Sequence, residues 1–177
     1  MLDKKALRQT VRARIAQIDV AEAQRRSVFI CDGVEKCLAE IRTSVVALFA
    51  PLGDEPQLWP LVELLAGRVS VVLPRVEGDV MNFYRYEKGV LARGAFGIDE
   101  PQGGLPVPVS AIDAIVVPGV AFTIGGVRMG RGKGFYDRFL SQGGCTALKI
   151  GVCYNEQLVD DIPAEPHDVA MDIVIHG

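Results

Sequence analysis

The sequence predicts one α/β domain, spanning residues 1–177, with a largely parallel sheet flanked by helices. The first reason is a series of short, unbroken apolar runs, because strands covered on both faces have this pattern. These runs are residues 44–50, 69–73, 112–117, 148–154 and 172–175. Helical patterns separate some of them, and strands that alternate with helices favour a parallel sheet. A chain of 177 residues is also long enough to bury the core of one domain.

Two helices are predicted before the first strand. Residues 3–18 form the first, since Asp3 can cap it and apolar residues recur at helical spacing. Its buried stripe should consist of Leu7, Val11, Ile15 and Ile18. Asp19 and Glu22 have the spacing of a capping box, which predicts the start of a second helix that packs on the sheet. The buried side of that helix should consist of Ile30, Val34, Leu38 and Ile41.

The segments between the later strands include a helix, an edge strand and a long loop. Residues 57–65 have a helical pattern, whereas residues 82–86 alternate in polarity, as strands at a sheet edge do. Residues 94–108 are rich in glycine and proline, and long loops inside compact domains are often functional. Ligands of open α/β sheets bind beyond the carboxyl ends of the strands. The loops expected to meet there are residues 51–55, 74–75, 118–137 and 154–155.

Composition and charge argue against several classes of partner. A net charge of −3 and a pI of about 5.4 disfavour nucleic acid and anionic membranes. The longest apolar runs are far shorter than the ~20 residues of a membrane span, and the first residues, MLDKKALRQ, lack an apolar leader pattern. The cysteines form no C-x-x-C pair and are expected to be reduced thiols: Cys31, Cys37, Cys145 and Cys153. We therefore expect a cytoplasmic monomer that binds a small anionic molecule.

The stretch from Gly125 to Leu140, GGVRMGRGKGFYDRFL, carries the strongest functional signal. It contains five glycines, which permit positive φ and let a ligand approach the main chain. Three cations precede Asp137 in this stretch, namely Arg128, Arg131 and Lys133. A helix predicted to begin near Phe135 would add unpaired amides and the positive end of its dipole. The stretch therefore predicts a phosphate cradle.

Two named phosphate motifs do not fit this loop. A Walker A loop requires a glycine five residues before Gly132 and a Ser or Thr after Lys133, but those places hold Val127 and Gly134. The dinucleotide fingerprint fails because the glycines at 130, 132 and 134 close one residue early. An ordinary surface loop is the alternative, and the three cations beside a helix start favour the cradle over it.

Asp137 lies in the first turn of the predicted helix, where the helix dipole alone favours an acid. Beside a bound polyphosphate, however, its carboxylate would be repelled unless a divalent cation lay between them. Magnesium typically takes one or two carboxylates together with phosphate oxygens. The loop and Asp137 together predict a magnesium–nucleotide site.

Residues 118–140, PGVAFTIGGVRMGRGKGFYDRFL, resemble the signature of the 5-formyltetrahydrofolate cyclo-ligases, also called 5,10-methenyltetrahydrofolate synthetases. The family pattern is Pro-Gly-x-x-Phe-Asp, a short spacer, and then Arg-x-Gly-x-Gly-x-Gly-Tyr-Tyr-Asp. Thr123 departs from it, because the family usually has an aspartate there, and this departure bears on the metal site. Further segments agree in order along the chain, namely Lys4 with Arg8, Asp54-Glu55, Leu73-Pro74, Gly97-Ile98-x-Glu100-Pro101 and Met171-Asp172.

The resemblance implies a fold similar to the NagB/RpiA/CoA-transferase-like fold and an enzyme that uses ATP and Mg²⁺. The implied reaction converts 5-formyltetrahydrofolate to 5,10-methenyltetrahydrofolate through a phosphorylated formyl intermediate and releases ADP and phosphate. The implied ATP-binding residues are Lys4, Lys5, Ala6, Leu7, Arg8, Arg128, Met129, Gly130, Arg131, Gly132, Lys133, Gly134, Phe135 and Tyr136. Those implied for the reduced folate are Ala50, Glu55, Arg131, Gly132, Lys133, Gly134 and Phe135. Catalytic roles fall to Arg128, Lys133 and Asp137, and Mg²⁺ binding to Asp137 and Asp172.

Residue patterns alone would assign some of these positions differently. The cationic stripe of Lys4 and Arg8 would be a solvated helix face, and Asp172 would be a strand-edge residue. Glu55 would be a turn residue, although its carboxylate can accept two parallel N–H bonds from a 2-aminopterin edge. Ala50, at the same strand end, is small enough to let a ring lie close.

Three questions stay open at this level. The aromatic residues that could stack on a folate are Trp59, Tyr84 and Tyr86, and the pattern does not choose among them. His167 and Asp168 are interpreted as structural or peripheral, because the chain has no Gly-x-Ser-x-Gly elbow. The alternatives in function are an ATP-dependent enzyme of the same scaffold with another substrate, and a non-catalytic binder of nucleotide or folate.

Overall fold

A computed structural model describes residues 3–163 and 165–177. Within these residues the central sheet has six strands, which are β1 (Val45–Ala47), β2 (Ser70–Glu77), β3 (Val80–Arg85), β6 (Ala114–Val117), β9 (Leu148–Cys153) and β10 (Ile173–His176). Two small hairpins pair β4 (Leu91–Arg93) with β5 (Asp99–Pro101) and β7 (Ala121–Phe122) with β8 (Arg128–Met129). The helices of the same residues are α1 (Lys4–Ile15), α2 (Val20–Ala39), α3 (Trp59–Ala66) and α4 (Phe135–Leu140).

The strand order of the central sheet is β10-β9-β6-β1-β2-β3. Every neighbouring pair is parallel except β2 and β3, which are antiparallel. In the middle of the sheet, Val46 of β1 lies opposite Val71 on one side and Ala114 on the other. The prediction of a single α/β domain with a largely parallel sheet and flanking helices is therefore confirmed.

Successive residues of the central strands face opposite sides of the sheet, as strand geometry requires. Val46, Val71 and Val116 join one apolar cluster, which includes buried residues of α1, α2 and α3. The residue after each of them joins a second cluster, to which α4 contributes Phe139 and Leu140. This arrangement explains why the strands are continuous apolar runs, since both faces of the sheet are covered.

The first two helices begin where their caps predict. Asp3 accepts a hydrogen bond from the Lys5 amide (3.1 Å), and Asp19 accepts one from the Glu22 amide (2.9 Å). The first helix ends at Ile15, three residues before the predicted boundary. A Cβ at Gly33 in the middle of α2 would lie 2.9 Å from the Ile175 side chain, so glycine lets this helix pack closely on β10.

Two strand predictions differ in outcome. Residues 82–86 were expected at a sheet edge, and β3 is indeed the antiparallel edge strand. Residues 172–175 were expected to be covered on both faces, but β10 forms the opposite edge and Ile173 is 38% exposed. The predicted loop 94–108 is partly regular, since β5 lies within it. A tight turn, Ala95–Gly97, precedes β5 and holds Phe96 in the left-handed region at φ 58°.

The helices of the structure can be compared with the length that a membrane span requires. Among the residues that the structure describes, no helix combines the length and the apolar character needed to cross a bilayer.

Candidate active site

A cavity of about 480 Å³ lies at the carboxyl edge of the sheet. Its walls include residues that follow β1 and β6, as the sequence predicts, and residues of β2. Other segments complete it: α1, β3, the segment 96–100 that leads into β5, and the loop 165–168. Tyr154 and Asn155, which follow β9, were also expected there but do not line the cavity. Tyr154 is buried beneath it, and its hydroxyl donates to the backbone oxygen of Glu55 (3.1 Å).

The glycine loop forms one wall of this cavity through residues 128–137. Gly132 and Gly134 have φ of 103° and 68°, values that favour glycine. Arg138 supports the loop from outside, because its guanidinium donates to the Lys133 oxygen (2.9 Å) and the Asp79 oxygen (3.1 Å). The helix that follows has only six residues, so its dipole is weaker than the sequence interpretation assumed. Loop amides and cationic side chains therefore carry the positive character of this wall.

The first helix docks on the glycine loop. Arg8 donates from Nε to the Gly130 oxygen (2.9 Å) and lines the cavity with Lys4, one helical turn earlier. Lys5 and Ala6 are exposed and lie outside the cavity lining, and Leu7 belongs to the core. Of the predicted segment 4–8, the structure thus brings the side chains of two residues to the cavity.

Lys4 is held by two acids of the loop 165–168. Its Nζ lies 3.0 Å from Glu165 and 2.9 Å from Asp168. Burial alone would lower the pKa of Lys4, but the hydrogen bonds to Asp168 and Glu165 outweigh it and raise the pKa. His167, predicted to be peripheral, also lines the cavity, although its side chain is 72% exposed. An anionic ligand would have to compete with the two carboxylates for Lys4.

Glu55 is a buried carboxylate in the wall of the cavity, with 5% of its surface exposed. Oε2 accepts from the Leu52 amide (2.9 Å), and Oε1 accepts from Nη2 (2.9 Å) and Nε (3.2 Å) of Arg131. Arg131 also pairs with Asp54, so it joins the glycine loop to the turn after β1. Burial raises the pKa of Glu55 above its ordinary value, and the Leu52 amide and Arg131 oppose the rise.

The glycine-loop residue Arg128 is almost completely buried, and its side chain is 4% exposed. Its Nη2 donates to Oδ2 of Asp137 (2.9 Å), and its Nη1 donates to the Pro118 oxygen (3.0 Å). Nε has no hydrogen-bond partner among the described residues. The other carboxylate oxygen of Asp137 accepts from the Val169 amide (3.1 Å). Both oxygens of Asp137 are therefore engaged by the protein itself.

Asp172 lies outside the cavity, contrary to the predicted metal site. It precedes β10, so it sits at the amino edge of the sheet, whereas the cavity lies at the carboxyl edge. Its Oδ2 accepts from the Lys149 amide (2.7 Å) and lies 2.9 Å from Lys149 Nζ. The structure does not bring Asp172 together with Asp137, and these two carboxylates do not fit a shared Mg²⁺ ion. The group of possible metal ligands that converge among the described residues is Glu165, His167 and Asp168.

Thr123, the departure from the family pattern, has a local structural role. Its hydroxyl accepts from the Val127 amide (3.1 Å) and closes the turn between β7 and β8. An aspartate oxygen at this place can accept the same kind of bond, since Asp and Thr side chains both stabilise turns in this way. Thr123 does not line the cavity.

The cavity's aromatic side chains are not those singled out as stacking candidates. Trp59, Tyr84 and Tyr86 do not line it. Tyr84 lies under Arg75 and donates to Glu77 (2.6 Å), and Tyr86 bonds to Glu63. The aromatic rings that do line it are Phe49, Phe96, Phe135 and Tyr136. The rings of Phe96 and Phe135 are 6.1 Å apart between centroids.

Pro74 lines the cavity, as expected for the loop 74–75, but several other lining residues have no role in the sequence interpretation, namely Val76, Met81, Phe96, Ile98 and Glu100. Three of them lie in or beside the segment Gly97–Pro101, which the family resemblance matched without assigning it a function. An aromatic residue next to glycine in a long loop was the available signal for Phe96. Met81 and Val76 face each other across β2 and β3, and only that pairing reveals their place.

The fold and the cavity define a class, namely α/β proteins with a cation-lined pocket at the carboxyl edge of a parallel sheet. Comparison with known families is more specific, because residues 1–177 match the 5-formyltetrahydrofolate cyclo-ligase family over the whole chain. The chain belongs to this family. The resemblance seen in the glycine loop and the shorter segments is thereby confirmed.

Individual relatives agree with this assignment. The chain is 38% identical over 145 residues to the 5-formyltetrahydrofolate cyclo-ligase of Mycolicibacterium smegmatis, a match covering 77% of this chain and 75% of that protein. The NMR structure of Aquifex aeolicus 5,10-methenyltetrahydrofolate synthetase superposes with a TM-score of 0.87 at 34% identity, covering 98% of this chain and 89% of the other. The synthetase structure from Mycoplasma pneumoniae gives a TM-score of 0.81 at 26% identity, with 98% of both chains covered.

Proposed function

We propose that this enzyme converts 5-formyltetrahydrofolate to 5,10-methenyltetrahydrofolate with ATP and Mg²⁺, and that it releases ADP and phosphate. Family membership supports the substrate and product. The observation that carries the rest is that the glycine loop and Glu55 line one cavity and are joined by Arg131. Direct phosphoryl transfer requires both substrates in one space, with their reacting atoms in contact.

The chemistry explains why a phosphate donor is needed. A formamide is a poor electrophile, because its nitrogen donates electrons into the carbonyl group. Transfer of the γ-phosphoryl group to the formyl oxygen converts that oxygen into a leaving group. The N10 amine then attacks the formyl carbon, the five-membered ring closes and phosphate departs.

The cavity offers what such a transfer needs, which is positioning and neutralisation of charge more than covalent groups. Glu55 would accept N–H bonds from the pterin edge, with Ala50 as its small neighbour. Phe135 and Tyr136 would form the wall beside the ring. The cations available to the phosphates are Lys4, Arg8, Arg128, Arg131 and Lys133. Arg128 would be held in place for this role by Asp137.

The Mg²⁺ requirement rests on the family resemblance and on the chemistry of ATP. Mg²⁺ keeps most of its ligands as water and phosphate oxygens in nucleotide sites. We expect it to arrive with ATP and to neutralise phosphate charge. No step depends on a joint Asp137–Asp172 site, because the two carboxylates are not brought together.

The same proposal extends to features beyond the reaction. We propose a cytoplasmic monomer. We also propose that it does not bind nucleic acid, which the net charge of −3 supports. We also propose kinship with the NagB/RpiA/CoA-transferase-like fold, which the five parallel strands and the site at their carboxyl edge support.

One assay tests the reaction. The purified chain is mixed with 5-formyltetrahydrofolate and Mg²⁺, and the absorbance of the methenyl product is followed with and without ATP, together with ADP release. We expect product and ADP to form in equal amounts, and only with ATP. Product that forms equally well without ATP, or ATP use without product, would contradict the proposal.

Two lysine variants form a matched pair for this assay. Lys133 and Lys88 are both exposed, but only Lys133 lines the cavity. Lys133→Gln should raise the KM for ATP or lower kcat, whereas Lys88→Gln should leave both unchanged. An equal effect of the two substitutions would exclude a nucleotide role for Lys133.

A further inference from the structure

Carboxylates line the cavity at five positions among the described residues, and four of them have a cation as partner. Asp137 pairs with Arg128 at 2.9 Å, and Glu55 pairs with Arg131 at 2.9 Å. Lys4 forms ion pairs with both remaining carboxylates, those of Glu165 and Asp168. Glu100 is the exception, because no Lys, Arg or His nitrogen of the described residues lies within 4.0 Å of its carboxylate.

Glu100 is also one of the most buried of the five, with 5% of its surface exposed. It lies in β5, where Oε1 accepts from the Val76 amide (3.1 Å) and the side chain packs on Gly94. No described group donates a hydrogen bond to Oε2, although the residue lines the cavity. Oε2 is not among the fully buried unsatisfied atoms of the described residues, so it keeps some contact with solvent and is open to pairing with a cation of the ligand.

The proposed reaction creates a positive charge on the substrate. Phosphoryl transfer to the formyl oxygen draws the N5 lone pair into an N5=C bond and leaves a positive charge on that unit. N10 then attacks the carbon, its proton passes to the departing phosphate, and the C–O bond breaks. The methenyl product keeps one positive charge, shared between N5 and N10.

The other ionised groups of the cavity favour that charge less. Lys133, the glycine-loop cation without a carboxylate partner among the described residues, repels it, and each of the other four carboxylates has a cation partner, although Glu165 and Asp168 share Lys4. Glu100 has one oxygen free of protein donors on a largely buried side chain, and a carboxylate fixed in this way stabilises a developing cation more strongly than solvent does, because it needs no reorganisation.

We propose that Glu100 is the group that stabilises the folate cation during ring closure and in the product complex. The inference rests on the proposed function, since only cyclisation of the formyl group generates this cation. Two side chains, Arg75 and Glu100, fix the hairpin of β4 and β5 on β2 and so hold Glu100 in place. Arg75 of β2 donates to the oxygens of Pro101 and Gly103, while Glu100 accepts from β2 in return.

Binding of two folates to Glu100→Gln tests this role. Gln keeps the shape and can still accept from the Val76 amide, but it lacks the charge. At mildly acidic pH, where the methenyl compound persists, the Kd of the cationic 5,10-methenyltetrahydrofolate should rise at least about 10-fold, and that of the neutral-centred 5-formyl compound less than about 3-fold. kcat should fall while the KM for ATP stays unchanged. Equal changes in the two Kd values would overturn the inference.

Two further variants separate charge from structure. Asp99→Asn removes a charge from the same strand on a residue that does not line the cavity, and it should alter neither Kd. Glu100→Asp keeps the charge and should retain more of the preference for the cation than the Gln variant. A Gln variant with wild-type Kd values for both folates would reduce Glu100 to a structural contact with β2.

The test also distinguishes this inference from the proposed function. If the wild-type chain forms no methenyl product from 5-formyltetrahydrofolate and ATP, the proposed function fails. If it forms product, and Glu100→Gln binds both folates and turns over as the wild type does, only the inference about Glu100 fails.

Discussion

The buried ion pair between Arg128 and Asp137 allows a quantitative test of how the glycine loop is built. Asp137→Asn keeps the size of the side chain and can still accept from the Val169 amide. It leaves the Arg128 guanidinium, with a side chain 4% exposed, without its counter-charge. Removing one partner of a buried pair costs about 3–5 kcal/mol, because the remaining charge is uncompensated and shielded from water.

This loss should be visible in thermal and chemical unfolding. In a chain of this size, 1 kcal/mol corresponds to roughly 2–4 °C, so the Tm should fall by roughly 6–20 °C. Glu35→Gln is the matched control, because its partner Arg68 is 58% exposed and Glu35 itself 36%. A surface pair of this kind is worth about 0–1 kcal/mol. The free energy of unfolding from urea titration, with m unchanged, measures both.

The same variant reports on function when it is assayed below its Tm. Asp137→Asn should lose most ATP-dependent cyclisation, because Arg128 is no longer held in place. An unfolding free energy that falls no further than in Glu35→Gln would refute the interpretation of a buried pair. Near-wild-type turnover would refute the functional role of Asp137.

Four other predictions concern the glycine loop, Glu55 and the buried cysteines. Gly132→Asp should weaken Mg–ATP binding more than Gly132→Asn, because both share the strain of φ 103° but only Asp adds a negative charge; equal Kd values in titration calorimetry would contradict the cradle. Burial raises the pKa of Glu55, so the KM for folate should rise as the pH falls through that pKa, since the ionised form accepts the pterin N–H bonds; a flat profile would contradict it. A raised pKa means that the folded chain binds the Glu55 proton more tightly than the unfolded chain does. The contribution of Glu55 to the free energy of unfolding is therefore present at low pH and lost as the pH rises through that pKa, and Glu55→Gln should remove this pH dependence. Burial raises the pKa of Cys31 to about 11 and of Cys153 to about 12, so neither thiol should react with a thiol reagent near pH 8 until the chain unfolds.

Local patterns of the chain determined most of the fold. The apolar runs predict the strands because both faces of the sheet are covered, and Asp3 and Asp19 predict the first two helix starts through their caps. The glycine loop and its cations are also a local pattern, since glycine spacing and charge act within one stretch of backbone. The family resemblance assigned a binding role to Glu55, which by its residue type and position alone would be an ordinary turn residue.

The tertiary structure decided which of these residues share a space. Asp172 and Asp137 both match the family pattern, but Asp172 precedes a strand that is parallel to β9, so it lies at the amino edge of the sheet. Glu100 and Phe96 reach the cavity because β5 docks on β2, and Lys4 meets Glu165 and Asp168 although about 160 residues separate them. Periodicity and caps depend on neighbours along the chain, whereas strand order, strand direction and the pairing of charges across loops depend on contacts between distant segments. For that reason the sequence by itself determined the elements and the phosphate loop, and only the folded chain determined the walls of the cavity.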